Sequence, residues 1–93
     1  MGRLVLIDFY SEWCEPCRRQ TEIVREVAAR MGDAVEIRTI DIGERRDLIR
    51  AYRLVTVPTI VIESDGLEVK RFETVVDAGT LETILTSLRD DHA

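Results

Sequence analysis

The spacing of apolar and polar residues divides the chain into seven segments that predict alternating strands and helices. Residues 4–10 are apolar except for Asp8, which is typical of a strand covered on both faces of a sheet. Residues 17–31 carry apolar side chains at steps of three and four, with charged residues between them. That periodicity predicts an amphipathic helix, and Gly32 is expected to end it.

The remaining segments continue the pattern toward the C-terminus. Asp65-Gly66 is a hairpin signal between two strand-like runs, and Val69 and Phe72 are expected to point inward from the second run. Asp77 is expected to cap a final helix, with residues 89–93 as a polar tail. The segments between these are a strand at 35–42, a helix at 44–52, and strands at 59–63 and 67–72.

This order of elements predicts an α/β fold. Strand–helix–strand alternation favours parallel pairing, and the hairpin adds an antiparallel pair at the end. The expected architecture is a four-stranded mixed sheet with three helices packed on its two faces. Ninety-three residues suit one such domain and are too few for two, so residues 1–93 are predicted to form a single domain.

The charge of the chain narrows its partners. A net charge of -5 disfavours binding to nucleic acid or to an anionic membrane surface. No run approaches the roughly 18 apolar residues of a membrane span. The N-terminus does not resemble a signal peptide, so the cytoplasm is the expected compartment. A closely spaced cysteine pair is more often catalytic than structural there.

The candidate chemistry lies in Trp13-Cys14-Glu15-Pro16-Cys17, between the first strand and the first helix. Two residues between cysteines at a helix start place both sulfurs on one side, because positions three apart are neighbours on a helix. The unpaired N–H groups at a helix N-terminus favour an anion, which lowers a thiol pKa and raises the fraction of nucleophilic thiolate. Pro16 suits the first helical turn, where no N–H is needed. The pattern favours a redox pair.

Three other interpretations of the cysteines are weaker. A structural disulfide would close almost no loop and so would stabilise little. A zinc site needs about four ligands, and only His92, in the polar tail, could join the two cysteines. Two unrelated core cysteines stay open, although Glu15 and Pro16 between them suit a surface turn.

Two further positions attract attention. Asp8 shares a strand face with Leu6 and Tyr10, so burial is expected to raise the pKa of its carboxyl; the alternative is a carboxylate that reaches solvent at the strand end. Pro58 directly precedes the third predicted strand. On residue type alone it indicates a turn and nothing more.

These residues together resemble the thioredoxin family. The resemblance rests on residues 5–17, on residues 52–59 with Val57-Pro58-Thr59, and on Asp65-Gly66. It covers nearly the whole chain, without the first strand and helix of full-length members. It implies a thioredoxin-like fold and activity on disulfide-containing proteins. It also implies a thioredoxin-reductase-type electron donor and no cofactor or metal, and a monomer is expected.

The resemblance also implies roles for single residues. Cys14 would attack the substrate and Cys17 would resolve the intermediate, with Asp8 helping to move the proton of Cys17. The Val57–Pro58 bond would be cis and would face the sulfurs, with the Val57 backbone pairing with an extended substrate. Pro58 and Thr74 would belong to the docking groove. Trp13 is expected to pack beside the disulfide and flank this groove; the alternative is plain packing of a tryptophan near a turn.

Four positions depart from the family pattern. Glu15 replaces a usual glycine, and its carboxylate should disfavour thiolate, which points to a reducing pair and not a strong oxidant. Glu22 replaces a usual proline, so no helix kink is expected there. Thr39 replaces a frequent lysine, which leaves Asp8 without that cationic partner. Thr74 replaces a glycine of the docking groove.

The leading hypothesis is a thiol–disulfide oxidoreductase that reduces protein disulfides at Cys14–Cys17. One alternative is a glutaredoxin-like protein reset by a low-molecular-weight thiol. It is less favoured because the acidic chain offers no evident basic patch for glutathione carboxylates. The other alternative is a module that only binds clients in its groove, without catalysis.

Overall fold

A computed structural model of the chain describes residues 3–91. The element types follow the predicted order, with a short 3₁₀ turn at Gly32–Ala34 after the first helix. The elements are β1 (Leu4–Tyr10), α1 (Glu15–Met31), β2 (Val35–Asp41), α2 (Arg46–Ala51), β3 (Thr59–Ser64), β4 (Leu67–Phe72) and α3 (Ala78–Asp91).

The four strands form one mixed sheet in the order β2-β1-β3-β4. β1 runs parallel to β2 and antiparallel to β3, and β3 pairs antiparallel with β4. The predicted α/β architecture is therefore confirmed. Since β1 has a strand on either side and helices over both faces, nearly every side chain in it is buried, which explains its almost continuous apolar sequence.

Side chains of β1 alternate between two apolar clusters. Leu4 and Leu6 pack with residues of α1 and α3, among them Val27 and Leu81. Val5, Ile7 and Phe9 face the opposite side of the sheet, where α2 and the segment after it supply the covering side chains. Each large apolar side chain buried in this way stabilises the fold by about 1.5–3 kcal/mol.

The hairpin between β3 and β4 turns at Asp65 and Gly66, which both have positive φ values (53° and 83°). This is the backbone form that suits a two-residue hairpin loop. The register then shifts, because Ile62 pairs with Lys70 whereas Glu63 pairs with Glu68. Val69 is the extra residue of the resulting bulge.

The bulge decides where two predicted core residues lie. Val69 is 45% exposed, so the prediction that it points inward is wrong. A bulged residue is left out of the strand ladder, and the ladder bends around it. Phe72 does pack against the core, as predicted.

Asp77 caps α3 as predicted, since its Oδ1 accepts a 2.7 Å hydrogen bond from the backbone N–H of Thr80. That bond lowers the pKa of the Asp77 carboxyl. α3 continues to Asp91, so residues 89–91 form its last turn and not a tail; they are polar and exposed. His92 lies outside the described residues. Within residues 3–91 no helix has the length and apolar character needed to cross a membrane.

Candidate active site

The two cysteines stand where β1 gives way to α1. Cys14 is the residue that caps α1, and Pro16 lies in its first turn. The sulfurs of Cys14 and Cys17 are joined in a disulfide, with their Cα atoms 5.2 Å apart. The backbone N–H of Cys17 donates to Cys14 Sγ at 3.2 Å. The helix start thus directs an N–H group at the first sulfur, as the sequence predicts.

The two cysteines differ in their exposure. Cys17 is only 1% exposed, whereas Cys14 is half-buried. A substrate that approaches from solvent therefore meets Cys14 first. The two sulfurs are therefore not equivalent: that of Cys14 is accessible, and that of Cys17 is covered.

Trp13 is 88% exposed, so the prediction that it packs beside the disulfide is wrong. It lies in the loop before α1, where no strand or helix covers it. Its ring borders a surface cleft together with Ile42 and Ile49. Its place beside a docking groove stays a prediction.

The segment before β3 reaches the disulfide from the other side. The Val57–Pro58 bond is cis, as the family resemblance implies. The carbonyl oxygen of Val57 lies 3.8 Å from Cys14 Sγ. The hydroxyl of Thr59 donates to the carbonyl of Thr56 at 2.7 Å, which ties the two sides of the proline together. Pro58 itself is buried.

Asp8 is fully buried on β1, as its position in the strand predicts. The hydroxyl of Thr21 donates to Asp8 Oδ2 at 2.7 Å, while Oδ1 has no hydrogen-bond partner among the described residues. Burial raises the pKa of this carboxyl. The hydrogen bond from Thr21 and the positive charge of Arg25 oppose that rise without cancelling it.

A cleft of about 400 Å³ opens beside this pair. Cys17, Thr21, Arg25 and Thr39 all line it. Thr39 is the β2 neighbour of Asp8 in the strand register, and its side chain is exposed. β2 therefore offers Asp8 a threonine and no lysine, as the sequence indicates. Arg25 on α1 nevertheless places a positive charge near the carboxyl.

Two buried polar contacts of α1 escaped prediction from the sequence. Thr21 follows Cys17 by one helical turn, and Gln20 is fully buried on the same helix. The Gln20 amide binds both backbone groups of Val76: Nε2 donates to the carbonyl at 3.0 Å, and Oε1 accepts from the N–H at 2.7 Å. The sequence held one signal for Gln20: it stands one turn before Val24, in line with the apolar residues of α1, where a polar side chain needs a buried partner.

The remaining departures from the family pattern are exposed. Glu15 lies beside Arg18, with Oε2 and the guanidinium 4.0 Å apart. Glu22 lies within α1, which is continuous from Glu15 to Met31. Thr74 lies in the segment between β4 and α3, two residues before Val76. Its contribution to a groove stays a prediction.

The site contains the parts of a dithiol–disulfide exchange centre. It has a cysteine pair at a helix start, one accessible sulfur and a cis-proline segment against that sulfur. It also has a buried carboxyl on β1, which accepts a hydrogen bond from Thr21, one helical turn after Cys17. Among residues 3–91 no group of three or more His, Cys, Asp or Glu side chains could hold a metal ion. The fold and site define a thiol–disulfide oxidoreductase.

Comparison with known proteins agrees with this class. Residues 2–87 match the family model described as Thioredoxin. Thioredoxin from Chlamydia pneumoniae is 38% identical over 90 residues, which cover 97% of this chain and 83% of that protein. Thioredoxin Y, chloroplastic, from Oryza sativa subsp. japonica is 34% identical over 77 residues, which cover 83% of this chain but only 46% of the rice protein.

A solved structure of a mutant thioredoxin from Halobacterium salinarum NRC-1 superposes with a TM-score of 0.82 at 34% identity, covering 92% of this chain and 74% of that one. The chain belongs to the thioredoxin family. It is a protein-disulfide reductase of the thiol–disulfide oxidoreductase class. Membership implies, in general terms, disulfide-containing protein substrates and a reductase-type partner.

Proposed function

We propose that Cys14 attacks the substrate disulfide and that Cys17 resolves the mixed disulfide. In the first step the Cys14 thiolate bonds to one substrate sulfur, the substrate S–S bond breaks, and the second substrate sulfur leaves as a thiolate. In the next step Cys17 attacks Cys14 Sγ, which forms the Cys14–Cys17 bond and releases the remaining substrate thiolate. Two electrons pass to the substrate, and both thiolates take up protons from water.

The unequal exposure of the two sulfurs carries this assignment of roles. Cys14 is half-buried at the helix start, and Cys17 is 1% exposed beneath it. Only a sulfur that a protein substrate can reach can attack it. A covered sulfur in contact with the first is suited to the intramolecular step, because its reaction partner is already in place.

Asp8 receives the proton of Cys17 in this mechanism. A thiol must lose its proton to become a nucleophile. Burial raises the pKa of Asp8, which brings a carboxyl closer to the range in which it can accept a proton near neutral pH. The buried oxygen of Asp8 that lacks a hydrogen-bond partner is a free acceptor for that proton or for an intervening water.

The substrate is an extended segment that lies across the cis-proline. Its backbone pairs with Val57, whose carbonyl lies beside Cys14, in the manner of an added strand. Pro58 shapes this surface from below, and exposed Trp13 flanks it. Thr74 contributes to the far wall, where it narrows the groove relative to a glycine.

The physiological direction is reduction of the substrate, with electrons from a thioredoxin-reductase-type donor. Glu15, which stands between the two cysteines in the chain, supports this direction, because a negative charge near the sulfurs opposes thiolate formation. We further propose a monomer in the cytoplasm, where the donor keeps the dithiol reduced. The cysteine pair closes within one chain, so no second copy is needed to complete it.

The test is reduction of insulin with dithiothreitol as the supplied dithiol. Cys14→Ser is expected to abolish turnover, and Cys17→Ser is expected to stop after one attack and accumulate the mixed disulfide. Turnover at the wild-type rate in Cys14→Ser would refute the assignment. A mixed disulfide that accumulates on Cys17 in Cys14→Ser, with none on Cys14 in Cys17→Ser, would reverse the two roles.

The same assay separates the two alternatives. Glutathione as the sole reductant is expected not to reset the disulfide, and efficient resetting would favour the glutaredoxin-like interpretation. A pure binding module would show no turnover in the wild type. It would also retain full client binding when both cysteines are replaced by serine.

A further inference from the structure

Thr21 connects a buried group with solvent. Its hydroxyl donates to Asp8 Oδ2 at 2.7 Å, and the residue also lines the cleft beside Cys17. Asp8 is completely inaccessible and is not among the residues that line the cleft. Thr21 therefore lies between the Asp8 carboxyl and the cleft, where its hydroxyl can carry a proton from one to the other.

We propose that Thr21 is a positioning residue that holds the Asp8 carboxylate and relays its proton to water in the cleft. This inference rests on the proposed function, in which Asp8 accepts the proton of Cys17. A threonine hydroxyl suits the task because it donates one hydrogen bond and has lone pairs to accept another. Valine has the same shape and can do neither.

The relay balances as follows. Cys17 gives its proton to the Asp8 carboxylate as its sulfur attacks Cys14, and the Cys14–substrate bond breaks. The neutral carboxyl turns about its Cβ–Cγ bond so that the protonated oxygen faces Thr21, and the Thr21 hydroxyl turns its own proton toward the cleft. The carboxyl proton then passes to the oxygen of Thr21, while the original hydroxyl proton of Thr21 moves to a cleft water. Asp8 is again a carboxylate that accepts a hydrogen bond from Thr21, and the proton has reached solvent.

The surroundings of Asp8 leave few other groups that could do this. On α1, Arg25 contributes a positive charge that favours the carboxylate, and Cys17 is the proton donor. On β2 the neighbour is Thr39, and on β3 it is apolar Ile60. Glu22 lines the cleft but has no described contact with Asp8.

The experiment compares Thr21→Val with Thr21→Ser, which keeps a hydroxyl. Thr39→Val is the matched control, since it removes a hydroxyl from the same cleft without touching a bond to Asp8. Two quantities are measured in each variant. One is the carboxyl pKa of Asp8 in the oxidised protein, from ¹³C NMR titration, and the other is the pH profile of the rate at which the mixed disulfide is resolved.

Loss of a hydrogen bond to a charged carboxylate raises its pKa, so Thr21→Val should move the rising limb of the rate profile to higher pH. On that limb the rate should fall by about tenfold. Thr21→Ser and Thr39→Val should follow the wild type in both measurements. Thr21→Ala, which fits the same space with less bulk, should behave as Thr21→Val and replaces it if the valine variant folds poorly.

Three results would overturn the inference. They are an unchanged profile in Thr21→Val, equal defects in Thr21→Ser and Thr21→Val, or a raised carboxyl pKa without any change in rate. The titration needs no turnover, so it reports on the Thr21 contact even if the proposed function fails. That failure would appear separately, as a resolution rate that is unaffected by Asp8→Asn.

Discussion

Replacing Gln20 by methionine removes both hydrogen bonds that hold Val76 against α1 while nearly preserving side-chain volume. Gln20 is fully buried and Val76 is 7% exposed, so water does not readily replace the lost partners. The variant thus leaves one backbone N–H and one carbonyl of Val76 unpaired in the interior. Val76 and Thr74 lie in the same segment between β4 and α3, so the effect also reaches the proposed groove wall.

The size of the effect follows from these two bonds. An unpaired buried donor or acceptor costs about 1–3 kcal/mol, and the greater apolar character of methionine offsets part of that. A net loss of about 2–4 kcal/mol is expected, against a total of about 5–15 kcal/mol for a typical domain. Divided by a urea m-value of about 2 kcal/mol/M, this loss should lower the midpoint of urea unfolding by about 1–2 M.

Urea unfolding followed by circular dichroism measures this loss, with Arg19→Met as the matched control on the next, exposed residue of α1. The control should stay within about 0.5 kcal/mol of the wild type. Hydrogen exchange adds a local readout, because the Val76 amide should be protected in the wild type and should exchange faster in the Gln20 variant. Equal unfolding midpoints for the two variants would refute the reasoning, as would unchanged protection of Val76.

Three more outcomes are expected. Burial raises the pKa of the Asp8 carboxyl, so the contribution of Asp8 to stability is complete below the ordinary carboxyl pKa and is lost as pH rises through the raised pKa. Asp8→Asn should therefore flatten that part of the curve of unfolding free energy against pH. A slope equal to that of the wild type would contradict this. Glu15→Gln should raise the reduction potential by about 5–20 mV, measured against a reference dithiol, because it removes a negative charge near the thiolate; a lower potential would argue against the effect. Trp13→Ala should raise the KM for insulin several-fold and leave both the unfolding free energy and the reduction of a small disulfide nearly unchanged, since its ring is exposed. A loss of stability above about 1 kcal/mol would show that Trp13 packs in the fold.

The arrangement of strands and helices was predictable because burial leaves a periodic trace in the sequence. The apolar run of β1 records its place between two strands and two layers of helices. Element ends left a weaker trace. The first helix was predicted from Cys17 but begins at Glu15, because its start depends on the capping geometry of Cys14 and not on apolar spacing. The inward orientation predicted for Val69 was wrong for a similar reason, because a bulge is a local shift in strand register that the alternation of apolar and polar residues does not reveal.

The site was predictable to a different degree. The cysteine pair and buried Asp8 follow from residue type and position, whereas the cis bond at Pro58 came only from the family resemblance. Gln20 and Thr21 were missed because each acquires its role from a partner distant in sequence: Gln20 from Val76, and Thr21 from Asp8. No local pattern encodes such a partner.

The covered position of Cys17 has a consequence for chemical labelling. After reduction, a bulky thiol reagent meets one open sulfur and one that is enclosed by packed side chains. We expect a maleimide attached to a large polymer to add once per folded chain, at Cys14, and twice only after unfolding. Gel mobility distinguishes chains that carry one reagent molecule from chains that carry two. The ratio of the two bands then measures the fraction of the protein that is folded.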